Sequence, residues 1–274
     1  MKHNLFLIIF GLGLLTSPYS VPSCDKLIDA AVSISEGDSE GSLSESEIVN
    51  GLKTALKIGT DSSVVTTSKI NGFYRDEAIK ILLPPEASVI YENKNHPLVQ
   101  ALGMDEKIEE AVLALNRAAE DAAGKAGPIF KDVITGMSIA DGLSILKGKN
   151  PANPANSSGF DSTAATAYLN SMTRDELRSE FSPVVNASLD RKLIGNYSPN
   201  EIWNSLTTGY NTVARRSFGA IKPIENTDLG NYVTEETLDG MFYKVAREEK
   251  KIRKDPYAWT RTAAGNILKR VFGK

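Results

Sequence analysis

Two groups of polar side chains sit where a helical repeat calls for apolar ones, and any chemistry would have to be done there. Along the C-terminal end, apolar residues recur as Leu238, Met241, Phe242, Val245, Ala246 and Ile252, the spacing of a helix laid against a core. At about 100° per residue, Glu249 projects near the centre of that face, with Arg253 one turn further on at its edge. A carboxylate there must be paired, protonated or wet. Asn116, Arg117 and Glu120 interrupt a second helix that is otherwise apolar. If the two helices pack together, a mixed-charge cluster forms inside the fold. One reading of it is a buried ion-pair network that fixes helix register. The other is a ligand pocket, or a carboxylate pair of Glu249 and Glu120 doing acid–base work in a hydrolase or transferase. Gly72, Phe73 and Tyr74 likewise have two readings, an aromatic lip on a pocket or a turn with core aromatics.

Most other chemistries lack their residues. Beyond position 23 the chain has one histidine, His96, which excludes sites that need two, the H-E-x-x-H zinc enzymes among them. No nucleophile elbow, Walker loop, dinucleotide fingerprint or calcium loop occurs, and Ser144 with Lys147 matches S-x-x-K without its companion motifs. No metal site and no cofactor are expected. The 274 residues are 41% hydrophobic and 24% charged with a formal net charge of −3, an ordinary globular balance that argues against a nucleic-acid binder. Between Lys244 and Lys274 ten basic residues face three acids, a local surplus that suits either a solvated face or anionic headgroups.

The lone cysteine, Cys24, follows a leader. Lys2 and His3 begin it, Leu5 to Leu15 form an apolar run too short to span a bilayer, and Thr16 to Ser23 are mostly small or turn-forming. Residues 1–23 therefore read as an export signal. Val21, Pro22, Ser23 and Cys24 resemble the lipobox of bacterial lipoproteins, in which the cysteine is acylated; the alternative is an ordinary cut that leaves a free thiol. Several acyl chains on Cys24 would anchor the protein stably in a membrane. Residues 24–42 then form the lipidated start and a flexible, Ser/Glu/Gly-rich linker, and 43–274 the folded domain.

That domain reads as all-α, a single unit of about eight or nine helices with at most a short strand pair. Ser44 with Glu47, and Ser198 with Pro199 and Glu201, mark two helix starts. Thr173 with Glu176 reads as a third capping box, and Thr234 as the N-cap of the Glu249 helix. That helix should stop at Asp255, with a further one starting at Pro256. Gly127-Pro128 should interrupt the helix opened by Asp105, Pro183 should kink or split its own, and Ser138 with Asp141 should cap another. The alternation of Ile79, Ile81 and Leu83 suggests a short strand or extended arm.

Six motifs together resemble bacterial domain-of-unknown-function family 4197 over roughly residues 42–273. They are Leu115-Asn116-Arg117-Ala118-Ala119-Glu120, Met137 to Asp141, Tyr232-Val233-Thr234 with Leu238-Asp239-Gly240, Glu248-Glu249 with Ile252-Arg253, Asp255-Pro256, and Val271-Phe272-Gly273. The resemblance implies an exported, mainly helical envelope protein and supplies no catalytic residues. The expectation is a non-enzymatic envelope lipoprotein that binds a partner protein, a lipid or a small ligand. The carboxylate-pair enzyme is the second reading.

Overall fold

Where the sequence supplies a complete start signal, the helix begins on it. In the computed structural model, which describes residues 43–273 except 137, 140–141, 150–158, 226 and 260–263, the Ser44 hydroxyl accepts the Glu47 N–H while the Glu47 carboxylate accepts the Ser44 N–H. Ser198 and Glu201 close the same box, with Pro199 in the first helical position. The leader 1–23, Cys24, the linker to residue 42, Asp141 and most of the 150–159 loop lie outside the described residues.

Ten α-helices follow in order among the described residues: α1 (Glu45–Thr67), α2 (Ser88–Glu92), α3 (Pro97–Gln100), α4 (Met104–Ala123), α5 (Ala126–Gly136), α6 (Gly142–Leu146), α7 (Ala164–Leu189), α8 (Pro199–Arg216), α9 (Leu229–Lys254) and α10 (Gly265–Phe272). Single 3-10 turns occupy Pro85–Ala87 and Pro256–Trp259. There is no strand among these residues, only an isolated bridge between Ile194 and Tyr197, so the domain is all-α.

Several boundaries differ from the sequence expectation, for local reasons. The Glu249 helix, α9, begins at Leu229, where Asp228 accepts the Asn231 N–H; Thr234 lies inside it, buried, its hydroxyl bonded back to Gly230 O. Thr173 is also a buried interior residue of α7 and donates to Leu169 O at 2.5 Å, so no helix starts there. Pro183 does not split α7, which continues to Leu189. The break after α4 falls at Gly124 and Lys125, and Pro128 sits in the first turn of α5, where its missing N–H leaves no bond unmade. After Asp255 comes one 3-10 turn from Pro256 before α10, not a single continuous helix. Residues 80–84 form neither helix nor strand, and Ile81 there pairs with the Asn116 side chain.

The core is organised around α9, which packs along α1 and α7 and also touches α4; α4 in turn lies against α7 and α8. Small residues permit the closest crossings. A Cβ on Gly51 of α1 would stand 2.5 Å from a Val271 methyl of α10, so only glycine lets these helices meet there. Ala114, Ala118, Ala119, Ala122 and Ala123 do the same for α4, all fully buried. A smaller apolar cluster of Ala55, Ile252, Ala264 and Leu268 seals α10 onto α1 and α9.

Candidate functional site

Glu249 is 1% exposed, and the structure gives each of its oxygens two donors. Oε1 accepts the Ala165 N–H at 3.0 Å and Arg253 Nε at 2.8 Å; Oε2 accepts the Thr166 N–H at 2.8 Å and the Thr166 hydroxyl at 2.6 Å. Ala165 and Thr166 belong to the first turn of α7, whose N–H groups have no intrahelical partners. Asp161 accepts the Thr163 N–H with its side chain and the Ala164 N–H with its carbonyl. Glu249 thus completes, from a different helix, the cap that Asp161 begins. A negative charge at a helix N-terminus is favoured by the helix dipole as well.

Arg253, with a side chain 6% exposed, uses the rest of its guanidinium on the other end of the same connection. Nη1 donates to Leu146 O at 2.8 Å and Nη2 to Ile145 O at 3.0 Å, the last residues of α6. One buried ion pair on α9 therefore holds the C-terminal end of α6 and the N-terminal end of α7. The chain between them is also drawn together by Asp161 N–H bonding Gly148 O at 2.8 Å. With both oxygens saturated by donors, the buried Glu249 carboxylate is arranged to hold these helix ends in place.

The second group is built similarly but elsewhere. Glu120, 4% exposed, accepts the Phe73 and Tyr74 N–H groups at 3.1 and 3.2 Å and pairs with Arg117 at 2.5 Å. Arg117 also donates to Asn71, whose left-handed backbone makes the turn. Asn116, fully buried, binds both backbone groups of Ile81 at 3.0 and 2.7 Å, so its amide stands in for a neighbouring strand. Glu120 and Glu249 share no partner. Phe73 packs on Gly240, and Glu249 lies nine residues further along α9, about 13.5 Å at 1.5 Å per residue. The expected single cluster is therefore two separate ones, each capping a different turn. Phe73 is wholly buried and forms no lip; Tyr74 is half-buried with Lys80 over its ring at 4.7 Å.

A groove of about 780 Å³ opens beside Arg253. Leu43, Ile48, Leu143, Leu146, Phe160, Val271 and Phe272 give it apolar walls, and Arg253 and Lys147 are its cations. The Arg253 guanidinium stands 5.8 Å from the Phe160 ring centre and 5.3 Å from that of Phe272, so the two aromatics flank a charge already neutralised by Glu249. Phe160 is two-thirds exposed and lies over Gly148, whose φ of +75° and contact with that ring both demand glycine. Lys147 is exposed and makes no ion pair among the described residues. Of this lining Arg253, Lys147, Val271 and Phe272 stood out in the sequence, each for another reason, while Leu43, Ile48, Leu143, Leu146 and Phe160 carry no signal of a groove.

Ion pairs elsewhere tie elements together and shift carboxylates. The hydrogen bond from Lys244 holds Asp76 below the usual carboxylate range. Burial alone would raise Asp121, but Ser188, Lys125 and Arg191 outweigh it and lower it. Burial would likewise raise Glu235, but Arg174 and Arg178 outweigh it and lower it. Glu236 runs the other way: burial first, then Asp239, push it up.

Among the described residues no group of His, Cys, Asp and Glu is placed to hold a metal, and no helix is long and apolar enough to cross a membrane. No curated protein and no solved structure matches the chain. A family model described as "Protein of unknown function (DUF4197)" matches residues 42–273.

Proposed function

The chain belongs to the family of proteins of unknown function DUF4197, and we propose that it is a non-enzymatic cell-envelope lipoprotein that binds an amphiphilic small ligand in the groove between Phe160 and Phe272. The observation that carries this reading is the groove itself, with apolar walls, two aromatic edges and a volume suited to a small ligand. Lys147 offers an anionic head an ammonium with no ion-pair partner among the described residues, while the Arg253 charge is already matched. Envelope residence is supported by the leader and the lipobox-like Val21 to Cys24, which would tether the domain through the acidic linker. The carboxylate-pair enzyme finds no support, because Glu120 and Glu249 are buried, separately paired and fully hydrogen-bonded.

Native mass spectrometry of the protein purified from its own envelope in gentle detergent tests the proposal. The expected species starts at Cys24, carries acyl mass and holds a further discrete mass. Leu143→Asp and Phe160→Asp, both at exposed positions, should lose the further mass and keep the acyl mass. Retention of the ligand by both variants would place it outside the groove and overturn the reading.

A further inference from the structure

We infer that the turn from Arg215 to Lys222 is a membrane-contact tip, in which Phe218 enters an anionic lipid surface while Arg215, Arg216 and Lys222 meet its headgroups. Phe218 is fully exposed, at 101% of its reference area. It also holds a φ of +53°, a region that asparagine and glycine occupy readily and aromatic residues seldom do. Two unfavourable choices at one position, an apolar ring in water and a strained backbone, point to use of the ring.

The turn is firmly built. The Ser217 hydroxyl donates to Ala214 O at 2.7 Å and accepts the Ile221 N–H at 2.9 Å. The Asn211 amide holds both backbone groups of Ile224, at 2.7 and 3.1 Å, and Ile221 and Ile224 are buried. The backbone is thus fixed on both sides, and Phe218 is turned outward by design of the turn rather than by slack in it.

Charge identifies the surface it meets. Arg215 and Arg216 end α8, Lys222 follows four residues after Phe218, and all three are exposed without an ion pair among the described residues. From Asn211 to Glu225 the only acid is Glu225. An apolar protein pocket would call for further exposed apolar residues around the ring. The turn instead carries one exposed ring with exposed cations on either side of it in the chain, the pattern that suits the boundary between anionic headgroups and acyl chains. This contact is independent of the groove and of acylation at Cys24.

The single cysteine makes a direct test possible. Residues 24–274 carrying Cys24→Ser and Phe218→Cys, labelled at the new thiol with an environment-sensitive fluorophore, are titrated with vesicles of neutral lipid alone or with about a third anionic lipid. Expected is a blue-shifted, brighter emission with anionic vesicles only, reversed by high salt. In the unlabelled Cys24→Ser chain, Arg215→Gln with Arg216→Gln should lower vesicle partitioning about 25-fold, at about fivefold per cation. Phe218→Asn should lower it about tenfold while leaving thermal stability equal or higher, because asparagine relieves the backbone. An unchanged emission with anionic vesicles would overturn the proposal and return Phe218 to a protein partner, as would wild-type partitioning of the Phe218→Asn chain.

Discussion

Replacing Glu249 by alanine should be among the most damaging single substitutions in this protein, and its cost can be worked from the contacts. The change strips acceptors from the Ala165 and Thr166 N–H groups and leaves Arg253 buried without its counter-charge. Breaking a buried pair from one side costs about 3–5 kcal/mol, and a buried N–H left unpaired about 1–3 kcal/mol. These overlap, since the cavity admits some water, so about 5 kcal/mol is expected for Glu249→Ala. That is a large share of the roughly 5–15 kcal/mol that holds a domain folded. Arg253→Met removes the partner but leaves Glu249 its three α7 donors, while freeing Ile145 O and Leu146 O; about 3–5 kcal/mol is expected. The double variant removes both charges together and should cost about the same as either single one. The resulting coupling is then about 3–5 kcal/mol, the signature of two residues acting as a unit. Glu249→Gln keeps one acceptor and should lose about half as much as alanine. Urea unfolding followed by far-ultraviolet circular dichroism measures all four chains. A Glu249→Ala cost below about 1 kcal/mol, or a coupling near zero, would refute the capping role derived from the geometry.

Other expectations are shorter to state. Asn116→Ala should destabilise by about 2–4 kcal/mol in the same assay, because both backbone groups of Ile81 lose their buried partner; a neutral result would mean that the 80–84 segment is held by the burial of Ile81 and Leu83 alone. Gly51→Ala should cost about 1–3 kcal/mol, since the new methyl overlaps stiff Val271 and the α1–α10 crossing must open. Stability should fall as acid titrates Asp76, Asp121 and Glu235: their folded-state values lie below the unfolded ones, so their contribution is present above the ordinary carboxylate range and is lost as the pH drops through the lowered values. Glu236 has the opposite sign, stabilising only at low pH and losing that contribution as the pH rises through its raised value. Thermal melts of Glu236→Gln should therefore exceed wild type at neutral pH, with the gain vanishing below the carboxylate range.

Local chemistry proved the easiest part to read. The boxes at Ser44 and Ser198 needed only residues three apart, and both helices start there. The boxes read at Thr173 and the cap read at Thr234 failed because a threonine hydroxyl can equally bond back to the carbonyl four residues earlier, and burial within longer helices selected that alternative. The stripe carrying Glu249 was legible, as was the need to satisfy its charge. Which donors would do so was not, because nothing near Glu249 in sequence announces Ala165 or Thr166 as its partners. The groove was the least legible feature, since Leu143, Phe160 and Phe272 come from three segments and become neighbours only on folding.

The sequence by itself determined an all-α domain, the helix starts at Ser44 and Ser198, its lack of the familiar catalytic motifs and the presence of charge on an apolar face. Those properties depend on composition and on spacings within a few residues. The tertiary structure alone decided that Arg117 and Glu120 serve the turn at Asn71 to Tyr74, Asn116 the backbone of Ile81, and Glu249 with Arg253 the ends of α6 and α7. It also made the Glu249 carboxylate a helix cap from 84 residues away and its arginine partner a carbonyl clamp across 107. A buried charge states that it must be matched, but the match is chosen by whichever helix ends the packed core brings within about 3 Å of it.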